Sequence, residues 1–366
     1  MFKILPGKRI HTALDVGSSA IKIISLTQSK RGVSIIDTAD YPVSAVPNPD
    51  ERGGEDLSLL LQEAGRAAGI KQTHVVTALD HQKVILRHIL VPRMPRRELA
   101  RAIKWEAEKY VPLPVNDLIL RYLVLGTKEI DGAVQFNLLL VAAPRQAVYA
   151  YYESFARAGF TIAAIDLPVL ALWRVFGGVI APAPAPGAYG VLDIGLTAAQ
   201  LIAIRQNKLL FVRTLPVGSK GINEAGSPGA AELPGANTGT GGAFQVISGK
   251  AGTLSPAPSG AAVIPNPEAA QGEHPGQANL SGLVAEIRRS LDFYRLQERD
   301  LPLEKLLLTG GGSKINGLAD FLGKELGMPV EPGVPLLPVP GKPGEVQPVD
   351  PALAVAAGLA LREVIR

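Results

Sequence analysis

The chain has 366 residues, 47% of them hydrophobic, too long for one small domain and apolar enough to bury two or more cores. Lys and Arg number 37 against 33 Asp and Glu, a net charge of +4 that, without a basic stripe interleaved with aromatics, gives no reason to expect nucleic acid. The absence of cysteine excludes disulfides and thiolate metal sites and fits a reducing cytosol, and the five scattered histidines show no zinc-ligand spacing.

From the N-terminus, Lys3, Lys8 and Arg9 are followed by an apolar run that Asp15 interrupts, which is not a signal-peptide pattern. Strands are expected at Thr12 to Val16, Ala20 to Thr27 and Val33 to Pro42, then an amphipathic helix from Asp56 to Ala68. Further strands follow at His74 to Leu79 and Val84 to Val91. A helix from Pro95 to Tyr110 starts on proline and repeats Leu99, Ile103, Ala107 and Tyr110 at helical spacing. Its basic run, Arg93, Arg96, Arg97, Arg101 and Lys104, reads as a solvated face ahead of an anionic-lipid or partner contact. Trp105 and Tyr110 read as core, Glu106 and Glu108 as solvated. Leu118 to Gly126 and Val134 to Ala142 form a hairpin through Glu129 to Gly132. A helix spans Arg145 to Ala158, a strand Thr161 to Asp166 and a helix Pro168 to Phe176.

Ala181 to Gly187 alternates Pro and Ala, a semi-rigid connector between two halves. Strands resume around Asp193, at Ala198 to Arg205 and at Leu209 to Pro216. Residues 226–282 are rich in Gly, Pro, Ala, Ser and Asn and are expected to be disordered. Helix returns at Leu283 to Tyr294, where Arg288, Arg289 and Asp292 are expected to make helix-to-lobe ion pairs. A buried strand, Leu306 to Thr309, ends in Gly310-Gly311-Gly312, and a helix follows from Ile315 to Leu326. Val334 to Pro351 is a second Pro/Gly-rich loop, before a last helix from Pro351 to Arg366. The apolar stretch within it, Ala352 to Leu361, is about half the length a membrane span needs.

Three turns carry the chemistry. Asp15-Val16-Gly17-Ser18-Ser19 and Asp193-Ile194-Gly195-Leu196-Thr197 each sit between two apolar β-type runs. Gly17 and Gly195 let the backbone approach an anion, while successive N–H groups and the hydroxyls of Ser18, Ser19 and Thr197 can cradle phosphate. Asp15 and Asp193 stand where each could hold Mg2+, directly or through water. Lys22 either neutralises phosphate or makes an ion pair on the strand surface. The third turn, Gly310-Gly311-Gly312, feeds a helix and suits phosphate or ribose contact. Paired Asp-x-Gly turns imply two related lobes facing one nucleotide. A Rossmann sheet fits poorly, because hairpins precede the helices and no Gly-x-Gly-x-x-Gly follows the first strand. The expected class is α/β, an actin/Hsp70-like two-lobed fold with an inserted α+β subdomain and a depleted, disordered tip on the second lobe. The expected divisions are 1–37 and 146–180 for the first lobe, 38–145 for the insertion, and 188–225 with 283–366 for the second lobe.

These residues resemble the type IV pilus assembly protein PilM family, actin-like relatives of the cell-division protein FtsA. Asp15 to Lys22 looks like the first phosphate loop, Asp193 to Gly195 the second, and Thr309 to Ser313 the adenosine loop. Lys104-Trp-Glu-Ala-Glu-Lys-Tyr-Val-Pro-Leu-Pro114 resembles the helix of the inserted subdomain. Ile287 to Tyr294 is the most specific match. The resemblance implies ATP with Mg2+ as cofactors and a cytoplasmic place at the inner face of the membrane, reached only through partners. Those partners are the short cytoplasmic N-terminal peptide of a PilN-like bitopic protein, docked in a groove between the insertion and the first lobe, and other pilus assembly components.

The chain also departs from the family. The Gly/Pro tract stands where relatives carry the helices that cover the base, Pro168 stands where many have an acid that positions water, and the second loop keeps one hydroxyl, Thr197. Nucleotide binding with weak or absent turnover is therefore expected, and no catalytic residue is assigned. The alternatives are a sugar- or acetate-kinase-like enzyme, which needs a catalytic Asp in the cleft, and an FtsA-like protein. The latter would end in an amphipathic membrane helix, whereas the helix before Arg366 is expected to close the second lobe.

Overall fold

The computed structural model describes residues 9–29, 32–43, 55–71, 73–111, 113–177, 187–220, 222, 280–339, 345–362 and 364. The Pro/Ala connector up to residue 186 and all but the last three residues of the expected disordered tract lie outside them.

The first sheet is built from β1 (Arg9–Val16), β2 (Ala20–Ser29) and β3 (Gly32–Pro42) as an antiparallel meander. Helix α1 (Glu55–Ala67) leads to β4 (His74–Ala78), which lies parallel to β1. A separate antiparallel sheet then intervenes: β5 (Ile85–Pro92), α2 (Arg96–Tyr110), β6 (Leu118–Ile130) and β7 (Ala133–Pro144), with strand order β5-β7-β6. The chain returns through α3 (Arg145–Arg157) to β8 (Thr161–Asp166), which pairs with β4, and then enters α4 (Pro168–Phe176). The second half repeats the plan: β9 (Ala188–Ile194), β10 (Ala199–Arg205), β11 (Lys208–Leu215), α5 (Leu280–Gln297), β12 (Leu303–Thr309), α6 (Leu318–Leu326) and β13 (Val330–Pro332). The short pair β14 (Leu336–Pro338) and β15 (Val346–Pro348) precedes α7 (Ala354–Leu361).

The two large sheets have the orders β3-β2-β1-β4-β8 and β11-β10-β9-β12-β13. Each is a three-strand meander extended by two parallel strands, the duplicated arrangement of the actin-like fold. Because β4 lies between β1 and β8, the inserted sheet begins at β5, later than the expected boundary at residue 38. Local chemistry sets the joints. Asp131 and Gly132, both at positive φ, turn β6 into β7, and Gln206 and Asn207 do the same between β10 and β11. Helix α2 buries Leu99, Ile103 and Ala107 and stops at Val111, held extended before Pro112.

Three expectations need correcting. The loop from Val334 to Pro351 contains the β14–β15 ladder. The helix expected from Ile315 starts at Leu318, because Gly317 sits at φ 74° and breaks the preceding 3-10 turn. Trp105, expected in the core, is 75% exposed, since it lies opposite the buried face of α2.

The two halves are joined by a helix crossing. Helix α7 is apolar on every side, fully buried, and lies against β1, β2 and β4, whereas α4 lies against β10. They cross where Gly358 meets Ala171 so closely that a Cβ at 358 would run into the Ala171 backbone. Arg174 reaches the Gly358 carbonyl (3.4 Å) and pairs with Asp166 (2.7 Å), which also pairs with Arg362 (3.1 Å).

The inserted sheet ties the halves together again. His88 of β5 places Nε2 3.2 Å from both the N–H and the C=O of Val212 in β11 and stacks on Phe211, and Lys128 of β6 pairs with Glu298 (2.7 Å) and donates to the Gln297 carbonyl (2.9 Å). Burial lowers the His88 pKa to about 4, so it is neutral in the folded protein.

Two expectations follow. An alanine in an open helix gains roughly 1 kcal/mol over glycine, as Gly323→Ala should show in α6, where the new methyl meets only ordinary contacts. Gly358→Ala instead should lose about 1–3 kcal/mol in urea unfolding, because overpacking outweighs propensity. For His88, the unfolded chain binds a proton at higher pH than the folded one, so stability contributed by the neutral ring falls as pH drops from about 6.5 toward 4. His88→Leu should flatten that fall, removing about 1–3 kcal/mol of acid sensitivity.

Candidate functional site

The two Asp-x-Gly hairpins face each other across the cleft. In the first, Gly17 N–H donates to the Ala20 carbonyl (3.0 Å); in the second, Gly195 N–H donates to the Ala198 carbonyl (2.9 Å), the same turn at the same place in each meander. Thr197 Oγ1 donates to Ser18 Oγ at 3.2 Å, joining one loop directly to the other. Among the described residues, the backbone N–H groups of Ser18, Ser19, Leu196 and Thr197 have no protein acceptor, so each loop offers two donors to an anion.

Asp15 and Asp193 stand just before these turns, recessed but still reached by solvent. Their register partners differ: Asp15 lies opposite Lys22, Asp193 opposite Gln200, which accepts from Thr214 Oγ1 (2.9 Å). One lysine therefore serves both carboxylates. Burial pushes the Asp193 pKa up to about 6, with Asp15 adding to the rise and Lys22 opposing it. Burial also raises Asp15, against Lys22, with Asp80 and Asp40 adding to it. Below Asp15, the Tyr151 hydroxyl donates to the Ala78 carbonyl (2.9 Å) and lies 2.8 Å from Thr77 Oγ1, and burial holds it protonated.

The glycine turn backs the second hairpin. Gly310, at φ 85°, donates its N–H to the Pro351 carbonyl (3.1 Å), and a Cβ there would fall 2.5 Å from Asp193 Oδ1. A Cβ on Gly312 would fall 2.5 Å from Ile194 Cγ2, whereas Gly311 faces open space. Glycine is thus needed at 310 and 312 for packing against the hairpin, leaving Gly311 as the accessible part of the turn. Ser219 and Lys220 tie the carbonyls of Gly195 and Leu196 from the other side (2.9 and 2.8 Å).

The structure thus brings Asp15, Gly17, Ser18, Ser19, Lys22, Asp193, Gly195, Thr197 and the Gly310 to Gly312 turn around one cleft. Asp80, Gln200 and the Thr77–Tyr151 pair escaped sequence reasoning. Gln200 alone had a legible signal, seven residues after Asp193 as Lys22 is after Asp15. Asp166 is taken up by Arg174, Arg362 and the Leu167 N–H (2.8 Å). Of the expected helix-to-lobe pairs, Arg288 does reach Glu325 of α6, but Arg289 and Asp292 pair within α5, with Glu286 and Arg295. Among the described residues no three carboxylates or histidines converge as a metal cage. Two carboxylates still suit Mg2+, which keeps most of its waters.

The raised Asp193 carboxyl has a pH consequence. Between about 3.8 and 6 the folded state holds a proton that the unfolded chain has released, so stability falls as pH rises through that window. Asp193→Asn should stabilise the protein at neutral pH by about 1–3 kcal/mol and lose that gain near pH 4, as read by chemical denaturation across pH.

The model of the type IV pilus assembly protein PilM family matches residues 13–226 and 278–364. The solved PilM–PilN type IV pilus biogenesis complex aligns with a TM-score of 0.68 at 26% identity, over 97% of this chain and 99% of that one. The ethanolamine utilization protein EutJ from Carboxydothermus hydrogenoformans aligns at 0.43 and 13% identity, over 98% and 90%. The cytoplasmic domain of EpsL, an inner-membrane component of the type II secretion system of Vibrio cholerae, aligns at 0.37 and 16%, over 61% and 79%. The last two scores add nothing to the assignment. Together with the duplicated sheets and the paired hairpins, the match to the family model means that this chain belongs to the type IV pilus assembly protein PilM family.

Proposed function

We propose that the protein is an actin-like scaffold of type IV pilus biogenesis that binds ATP with Mg2+ in the cleft and holds the cytoplasmic tail of a PilN-like membrane protein. The observation that carries the scaffold reading is the alignment with the PilM–PilN complex over nearly the whole of both chains. No described helix is long and apolar enough to cross a membrane, and the membrane-anchored partner would hold the protein at the inner membrane face.

The cleft residues fit the nucleotide. Asp15 and Asp193 would hold Mg2+ through its waters, Lys22 would neutralise phosphate charge, and the N–H groups of Ser18, Ser19, Leu196 and Thr197 would take phosphate oxygens. The Gly310 to Gly312 turn would lie along the ribose. Bound Mg-ATP supplies a compact negative charge that both lobes can share. For it to enter, Thr197 and Ser18 must give up their mutual bond, since they close the space between the loops.

Turnover finds little support. Pro168 is the first residue of α4 and Asp166 is engaged by two arginines, so neither offers a carboxylate to a water in the cleft. The nucleotide would act as a structural ligand that fixes the lobe angle. The PilN-like tail would dock along the seam between the inserted sheet and the first lobe, where Arg145 of α3 holds the Leu118 carbonyl (3.3 Å).

A fluorescent ATP analogue with Mg2+ should bind the purified protein, and Asp15→Ala should weaken it by about tenfold or more. Unchanged affinity would remove Asp15 from the site. Phosphate release at saturating ATP should stay at background, and a PilN-like N-terminal peptide should retain the protein on a column. Retention by neither that peptide nor a charge-matched scrambled version would overturn the scaffold reading.

A further inference from the structure

The outward face of α2 carries an arrangement that the cleft does not use, beside a groove that reaches the seam only at Asn116, whose carbonyl Arg145 holds (3.4 Å). Arg93, Arg96, Arg97, Arg101 and Lys104 are all exposed, and none has an acidic partner among the described residues. Trp105 stands among them, 75% exposed, beside a groove of about 420 Å3 whose far wall is Leu113, Pro114 and Val115, with Leu113 40% exposed. Arg97, Arg101, Lys104 and Trp105 recur at three- and four-residue steps opposite Leu99, Ile103 and Ala107, so one side of the helix packs while the other gathers cations around an indole.

We propose that this face docks directly on anionic phospholipid headgroups. The cations are spread from Arg93, just ahead of α2, to Lys104 on the helix and converge on no single pocket, which suits a smeared negative surface rather than one carboxylate or phosphate. A bare indole flanked by long cationic side chains matches the headgroup level, where its apolar ring sinks and its N–H stays wet. The basic side chains lay their methylenes along the same boundary. An acidic peptide following the helix would meet Glu98 between Arg97 and Arg101 and Glu108 beside the groove, which interrupt its pairing with the cations. This contact goes beyond the scaffold reading and needs no partner protein or nucleotide.

The test uses the full chain and phosphatidylcholine vesicles with and without phosphatidylglycerol at about one lipid in three. Flotation should carry the protein only with the anionic vesicles at about 50 mM salt, and raising salt to about 500 mM should release most of it. Arg97→Glu with Arg101→Glu should lower partition by about tenfold or more. Arg97→Gln with Arg101→Gln should lower it less, which serves if the first variant fails to fold. In a Trp173→Phe background the remaining indole, Trp105, should shift its emission to the blue on the anionic vesicles. No flotation at low salt, equal flotation of the glutamine variant, an unmoved emission, or capture by an acidic peptide resin in place of vesicles would each overturn the proposal.

Discussion

The close passage of α4 against α7 is what the rest of the molecule depends on. Each helix packs on the sheet of the opposite half: α7 on β1, β2 and β4, α4 on β10. The halves are therefore exchanged rather than merely adjacent, and the contact survives only because residue 358 has no side chain. Asp166 fastens the same region from the edge of the first sheet, gripping Arg174 beside the crossing and Arg362 just beyond α7. A carboxylate buried this far is tolerable only with both guanidiniums in place, since losing either would leave charge without compensation. That is also why it is unavailable to chemistry in the cleft.

The crossing brings the meanders face to face and so creates the cleft. Two carboxylates, one lysine and two pairs of unengaged N–H groups then occupy one small volume. The arrangement is short of positive charge on the side of the second hairpin, where Gln200 takes the place that Lys22 holds in the first. Carboxylates pushed upward by burial and by neighbouring carboxylates (Asp15 acting on Asp193, Asp80 and Asp40 on Asp15) are a strained arrangement that a divalent cation would relieve.

Much of this was legible in the sequence, for physical reasons. The Asp-x-Gly turns announce themselves because each sets a small residue where a Cβ would crowd the carbonyl that the turn folds back on (3.1 Å at Gly17, 3.0 Å at Gly195), and their spacing exposes the duplication. The run of α2 reads clearly because proline opens it and Pro112 closes it. What stayed hidden depended on partners distant in the chain. Trp105 looks like core at helical spacing, and only the placement of the inserted sheet decides which side of α2 is covered. Asp80, Thr77 and Tyr151 gather beneath Asp15 through strand and helix packing that no local pattern encodes. The β14–β15 ladder is three residues long in each strand, too short to leave a period in a proline-rich stretch.

His88 and Lys128 make the inserted sheet a strut across the back of the two halves. Pivoting at Gly358 would carry Phe211 and Glu298 along with the second half, and β5 and β6 would have to travel with them or release their hold. The angle between the halves is in this way mechanically legible at a surface far from the cleft. A protein binding the inserted sheet could sense whether the jaws are shut without touching whatever lies between them.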